Sequence, residues 1–287
     1  MLGFAYREDL ARFWRRVGPK GQLAVNTEQG WQPIDPHLEQ HRFWGPEDAF
    51  LLPHLSLERV EEGLDLGLIE LRREPNPQVV PVVVVRADPQ YWRFRLLANP
   101  DFSRQTVQDV ALDHPSAAVV VNASYFSEEG PVGLLVQDGR ERVPQGTAWA
   151  AHFLVEAGGQ PRIVNEKQTA LGEDLLQAFQ GFPAIMSGGE TFSYMRYGGR
   201  GFPVHTLARR TAVCTDLDGM VWILVTDTVT NGLTLSETAT VLGGLGCHDA
   251  MGFDGGSSTQ LHVDAGERRL DVLAADGVPV VMALEPR

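Results

Sequence analysis

The sequence predicts an α+β fold: a strand-rich mixed β-sheet core with a few helices, gathered in a single main domain. Three observations predict it. Short runs of β-branched and apolar residues recur from Gly63 to the carboxyl end, separated by turn residues. Helical patterning is confined to brief stretches between those runs. One such stretch, from Thr234, is long enough to carry the chain back across a sheet, so that two strands run in the same direction.

The expected organisation is an amino-terminal extension, residues 1–62, packed on a main domain, residues 63–287. At the start, Leu10, Phe13, Trp14 and Val17 fall at helical spacing, and Gly18-Pro19 stops that helix. From Gly21 to Pro53 the pattern is irregular and rich in Trp and Pro, as in a segment laid over a larger body. His37 and His41 share one helical face, but Pro36 and the lack of a nearby ligand cluster weigh against a metal site. No metal and no cofactor are expected.

Within the main domain, Val79–Arg86 and Tyr91–Ala98 read as strands of one hairpin around Asp88-Pro89-Gln90. A short helix follows from Ser103 to about Leu112, ending before Pro115. Ala117–Val121 is a continuous apolar run, the pattern of a strand buried on both faces, and it delivers Asn122. Gly133–Val136 and Ala151–Val155 continue the strands, and Asp174–Phe179 reads as a short helix ended by Gly181.

Thr211–Leu217 and Met220–Thr226 flank Asp218-Gly219, a strong hairpin signal. A two-residue turn there sets Arg210 opposite Asp227. Thr234-Leu235-Ser236-Glu237 is a capping box opening a helix, with Glu237 as its acid. The next strand, about Ala250 to Phe253, then runs parallel to the one that ended at Thr226. Arg210, Asp227 and Asp254 therefore meet at one sheet edge. Gly255 and Gly256 allow a sharp turn with successive N–H groups facing an anion, and Ser257 and Ser258 add hydroxyls. His205 lies just upstream of the arginine segment.

Phe253-Asp254-Gly255-Gly256-Ser257-Ser258, Arg210-Thr211-Ala212-Val213, Asn122-Ala123-Ser124-Tyr125-Phe126, Phe182-Pro183 and Ser187-Gly188-Gly189 occur in this order. Together they resemble the phosphodiester glycosidase family, which includes the uncovering enzyme that removes N-acetylglucosamine from a sugar-1-phosphate diester. The resemblance spans roughly Gly63 to Leu284. Family members commonly carry a third glycine where Ser257 stands and an Asn-Gly-Gly-Phe-Phe form where Asn122–Phe126 stands. It implies a hydrolase acting on a glycan or sugar-phosphate, with Asp254 or Asp227 as acid/base or nucleophile and Arg210 opposing the phosphate. Asn122, Ser124, Tyr125, His205 and the turn from Gly255 to Ser258 would bind substrate. It also suggests action outside the cytoplasm, in the cell envelope.

Composition narrows the alternatives. The chain has 287 residues, 43% of them hydrophobic and 21% charged, enough for a substantial core. Its net charge of −13 argues against nucleic acid as a partner. No apolar run spans a bilayer, and MLGFAYREDLARFWRRVG lacks the uninterrupted apolar centre of a secretion signal. Two cysteines, Cys214 and Cys247, allow at most one bridge, and Cys214 reads as a small core residue. Two other functions compete: a serine hydrolase pairing Ser257 or Ser258 with His248 or His262, and a carbohydrate- or phosphate-binding envelope protein without turnover. No Gly-x-Ser-x-Gly supports the first. Consecutive side chains in Cys247-His248-Asp249 do not converge as a triad would.

Overall fold

The computed structural model describes residues 22–34, 44–74, 78–146, 151–165, 174–192, 204–229 and 232–287. The helix expected around Leu10 to Val17 and the pair His37 and His41 lie outside them.

In chain order the strands begin with β1 (Leu23–Thr27), β2 (Gly30–Pro33), β3 (Leu57–Glu61), β4 (Leu64–Arg73), β5 (Val79–Ala87) and β6 (Trp92–Leu97). Helix α1 (Val107–Asp113) precedes β7 (Val119–Asn122), β8 (Phe126–Ser127), β9 (Gly130–Pro131), β10 (Leu135–Gln137) and β11 (Arg140–Val143). Next come β12 (Ala151–Glu156), β13 (Pro161–Asn165), β14 (Leu175–Gly181), β15 (Ala184–Ser187) and β16 (Glu190–Thr191). The hairpin β17 (Thr211–Asp216) and β18 (Val221–Thr226) leads into helix α2 (Leu235–Gly244). β19 (Cys247–Gly252), β20 (Leu261–Ala265), β21 (Arg268–Val272) and β22 (Val281–Pro286) complete the chain.

A ten-stranded sheet runs β16-β15-β19-β17-β18-β5-β4-β1-β2, with β3 also on β4. Two five-stranded sheets follow the orders β11-β10-β14-β12-β13 and β21-β20-β7-β22-β6. The segment before Gly63 thus contributes β1, β2 and β3 to the large sheet itself.

The strand-rich core with a few helices is present, but its pairings among the described strands are antiparallel rather than mixed. The reason lies in where the crossover lands. β19 runs in the same direction as β18, as expected, yet it inserts beyond β17 and pairs antiparallel with it. Two other expectations fail. β5 and β6 do not form a hairpin: β5 pairs with β4 and β18, whereas β6 pairs with β22. Asp88 forms a corner between the sheets, its N–H bonded to the Gly63 carbonyl and its carbonyl accepting from Tyr91 and Trp92. Asp174–Phe179 is not helical either, because β14 lies between β10 and β12 and hydrogen-bonds to both. Pairing on both sides outweighs the helical preference of Leu, Gln and Ala.

Period-two alternation sorts the core. Val83, Val85, Val213, Ile223 and Val225 of the large sheet meet Trp92, Phe94, Val121, Phe153 and Phe179 of the smaller sheets. Val82, Val84, Ala212, Trp222 and Leu224 point the other way, onto α2 through Leu235, Ala239 and Leu242. Helix α1 covers the outer face of the β7–β22 sheet with Val107, Val110 and Ala111. Cys214 and Cys247, both buried, form a disulfide between β17 and β19 with Cα atoms 5.7 Å apart. Among the described residues no helix is long and apolar enough to cross a membrane.

Candidate active site

β18 and β19 end at the edge of the large sheet where β17 begins, so Arg210, Asp227 and Asp254 all lie there. Their register differs from expectation by one residue. The hairpin turns through Leu217, Asp218 and Gly219, with the Gly219 N–H on the Asp216 carbonyl at 3.1 Å and Gly219 at φ +79°. Thr211 therefore pairs with Val225, and Arg210 faces Thr226 rather than Asp227. The Arg210 N–H donates to Thr226 Oγ1 at 2.7 Å, and the Thr226 N–H donates back to the Arg210 carbonyl at 2.9 Å. Asp227 is exposed and bonds the Pro81 carbonyl through its backbone. Its charge acts on Arg209, not Arg210. Nothing ties Asp227 to Asp254, and the expected Arg210–Asp227 ion pair is absent.

Asn122 is the hub of the edge. Its side chain is fully buried at the end of β7. Nδ2 donates to the Asp254 carbonyl at 2.6 Å, while Oδ1 accepts from Thr211 Oγ1 at 2.8 Å and the Gln260 N–H at 3.0 Å. The Asp254 N–H in turn donates to the Ala123 carbonyl at 3.0 Å. Asn122 is fully buried and its amide bonds three protein partners, one of them the Asp254 carbonyl, so it holds the Asp254 turn in place. Thr211 and Gln260 are members of this network that sequence patterning did not single out.

Asp254 and Arg210 both act electrostatically on Tyr125. Burial raises the Asp254 carboxyl above its ordinary range, against hydrogen bonds from the Ser258 hydroxyl and the Gly255 N–H that favour the charged form. Burial likewise raises the Tyr125 phenol, the Asp254 charge adds to this, and Arg210 opposes it. Burial lowers the Arg210 guanidinium, against the influence of Tyr125 and Glu237. Arg210 is aimed by backbone: Nε donates to the Leu233 carbonyl at 2.8 Å and Nη2 to the Thr206 carbonyl at 2.7 Å. Among the described residues Nη1 has no such partner. The Tyr125 ring packs edge-on against Phe182 at 6.3 Å.

The glycine turn is not the open N–H array expected. The Gly255 N–H caps the Asp254 carboxylate itself at 2.9 Å, and the Gly256 N–H donates to the Arg209 carbonyl at 2.9 Å. A Cβ at Gly255 would lie 2.8 Å from that carbonyl, so glycine is required by close approach. Gly256, at φ +65°, opens a single 3-10 turn, Gly256–Ser258. Ser257 is exposed there, where a side chain in place of a third glycine meets solvent. Ser258 is buried and serves the Asp254 carboxylate.

The remaining candidates divide. Ser124 is buried beside Asn122, its hydroxyl without a hydrogen-bond partner among the described residues. His205 sits between Val204 and Thr206, whose carbonyls hold the Leu235 N–H and Arg210, and shows no bond or charge contact with Asp254. Glu237 is the capping-box acid, accepting the Thr234 N–H at 2.7 Å, and it also forms a buried bidentate pair with Arg73 at 2.9 and 2.7 Å. His248 bonds Asp249 at the start of β19, at the opposite end of that strand from Asp254. His262 bonds Asp271 at 2.7 Å. Among the described residues no histidine bonds Ser257 or Ser258, and neither His248 nor His262 forms the pair expected of a serine hydrolase.

Residues 115–281 match the family described as phosphodiester glycosidase, and all three members of the Asp254 cluster lie within them. No curated protein matches the sequence. Among solved structures, a hypothetical protein from Synechocystis is similar at a TM-score of 0.58 and 17% identity, over 81% of this chain and 64% of that one. The chain thus spans less than two thirds of the Synechocystis protein. The zebrafish N-acetylglucosamine-1-phosphodiester alpha-N-acetylglucosaminidase catalytic domain, auto-inhibited by its pro-peptide, is similar at 0.62 and 16%, over 80% of this chain and 86% of that one. A Burkholderia pseudomallei protein described as exported is similar at 0.53 and 13%, over 98% and 89%. At these identities the structures establish a shared fold. The family match extends over more than half the chain and encloses Asn122, Tyr125, Arg210 and Asp254; the chain belongs to the phosphodiester glycosidase family.

Proposed function

We propose that the protein is a hydrolase that cleaves the bond between a sugar's anomeric carbon and a phosphodiester oxygen. The observation that carries this reading is that Arg210 and Asp254 flank the same end of the β17–β19 ladder and that the charges of both act on the Tyr125 phenol. Glycosyl transfer to water needs a carboxylate to attack the anomeric carbon or to deprotonate the attacking water. Asp254 is the one carboxylate of the cluster with its backbone pinned by Asn122. The leaving group is already a stabilised anion, so a second strong acid is dispensable, and a fixed cation suffices to receive the charge. Arg210 supplies it, held by two carbonyls through Nε and Nη2, with no hydrogen bond to Nη1 among the described residues. In this reading the Tyr125 hydroxyl donates to the departing oxygen or to a sugar hydroxyl.

The relatives support the same reading, since the zebrafish neighbour is itself an N-acetylglucosamine-1-phosphodiester hydrolase. The extracytoplasmic, cell-envelope setting expected from the family is part of this proposal. Turnover of an aryl sugar-1-phosphate diester by the wild-type protein, abolished in Asp254→Asn, tests it. Saturable binding of that diester without turnover would replace it with a carbohydrate-binding protein.

A further inference from the structure

A second site lies on the outer face of the β7–β22 sheet, beside α1. The antiparallel ladder sets His262 opposite Asp271 and Asp264 opposite Arg269, so period two places all four on one face of the β20–β21 ribbon. On the neighbouring strands this face is apolar and packed under α1, through Val120, Val281 and Ala283. Over β20 and β21 it is polar, and an open cleft of about 370 Å³ separates it from the helix.

His262 is the informative member. It is only 4% exposed, and its Nδ1 bonds Asp271 Oδ1 at 2.7 Å. Gln108 reaches from α1 to the same oxygen at 2.9 Å. A carboxylate only accepts, so Nδ1 carries the proton in this bond and Nε2 is the ring nitrogen left for another partner. Among the described residues Nε2 has no partner, and His262 lines the cleft. A buried imidazole at the wall of a cleft, held by Asp271, which Gln108 anchors in turn, is costly to maintain for packing alone.

We propose that this cleft binds a saccharide unit, separately from the Asp254 edge. The groups lining it are mixed in hydrogen-bonding sense: the Asp264 carboxylate accepts, the exposed Arg269 guanidinium donates, and the His262 ring adds a polar nitrogen. Adjacent hydroxyls, each both donor and acceptor, satisfy such a set. A simple anion would be repelled by Asp264 and Asp271. Leu112 (78% exposed on α1) and Pro115 give an apolar wall for the C–H face of a pyranose. The volume lies within the ~300–1,000 Å³ range of small-molecule pockets.

The test is an NMR titration of the full chain carrying Asp254→Asn with methyl α-glucoside, so that any signal is independent of turnover. Saturable shifts at His262, Asp264 and Arg269 are expected. Affinity should fall roughly tenfold or more in Asp264→Ala and in Arg269→Ala, each removing one charged hydrogen bond. Both side chains are exposed, so these variants should melt as the parent does; His262→Gln should weaken binding similarly. Shifts confined to the Asp254 edge, affinity unchanged in the two exposed variants, or a response to methylammonium but not to the glucoside would overturn the proposal.

Discussion

Asn122 Nδ2 donates to the Asp254 carbonyl across 2.6 Å, joining a β7 residue to a turn 132 residues later in the chain. The same amide accepts from Thr211 and Gln260, so one side chain ties three strand ends together. Asn122→Ala should leave buried polar groups unpaired and cost about 2–4 kcal/mol of stability. Denaturant unfolding checks the loss. The residual folded protein should show lower kcat, because the Asp254 turn is no longer held.

Asp254→Asn separates activity from stability. Burial holds the carboxyl above its ordinary range. A raised folded pKa means that its contribution to stability is full below the unfolded value and is lost as pH rises through the folded value. At neutral pH the charged carboxylate therefore costs stability, and the amide removes that cost. The variant should melt no lower than wild type at pH 7, with any advantage vanishing below about pH 4. Turnover of a sugar-1-phosphate diester should fall by orders of magnitude. A lower melting temperature at pH 7, or retained turnover, would leave Asp254 a structural residue.

The acid side of the wild-type pH–rate profile should report the same group. If the Asp254 carboxylate acts in charged form, kcat/KM should rise with pH through an apparent pKa above the ordinary aspartate value of about 4. The limb should be absent from the residual activity of Asp254→Asn.

Arg210→Ala should reduce turnover of phosphodiester substrates by roughly a hundredfold or more, the scale of a lost charged contact to a developing anion. Uncharged aryl glycosides should lose less. Equal losses on both would remove the phosphate from the role given to Arg210. A melting curve must accompany the kinetics, because Arg210 also binds the Leu233 and Thr206 carbonyls.

Glu237→Gln keeps an acceptor for the Thr234 N–H but leaves Arg73, only 6% exposed, without its counter-charge. Breaking such a buried pair costs about 3–5 kcal/mol. The loss should appear in unfolding experiments, while the folded variant turns over within a few-fold of wild type. A kinetic loss larger than the stability loss explains would place Glu237 in the chemistry through its field on Arg210.

The site was legible in the sequence wherever a strand end delivers a residue. Asn122 closes an apolar run, Asp254 follows another, and the capping box at Thr234 marks the helix between β18 and β19. Register was not legible, because Asp218-Gly219 sits in a three-residue loop and not a two-residue turn, and one residue moved Asp227 out of the cluster. Roles were also hidden. Local sequence shows that a glycine turn exposes N–H groups, but not that the Asp254 carboxylate and the Arg209 carbonyl already occupy them. The helix expected at Asp174–Phe179 and the hairpin expected after Val79 failed because partners distant in sequence decide between helix and strand, and between one sheet and another.

The bridge between Cys214 and Cys247 joins the two strands that carry Arg210 and Asp254 at their other ends. A covalent tie at one end of an antiparallel ladder sets how far one strand can slide along the other. Sliding by a single residue would turn every side chain of β19 to the opposite face. The bridge therefore acts as an alignment pin for the cation and the carboxylate, several residues away and without touching either.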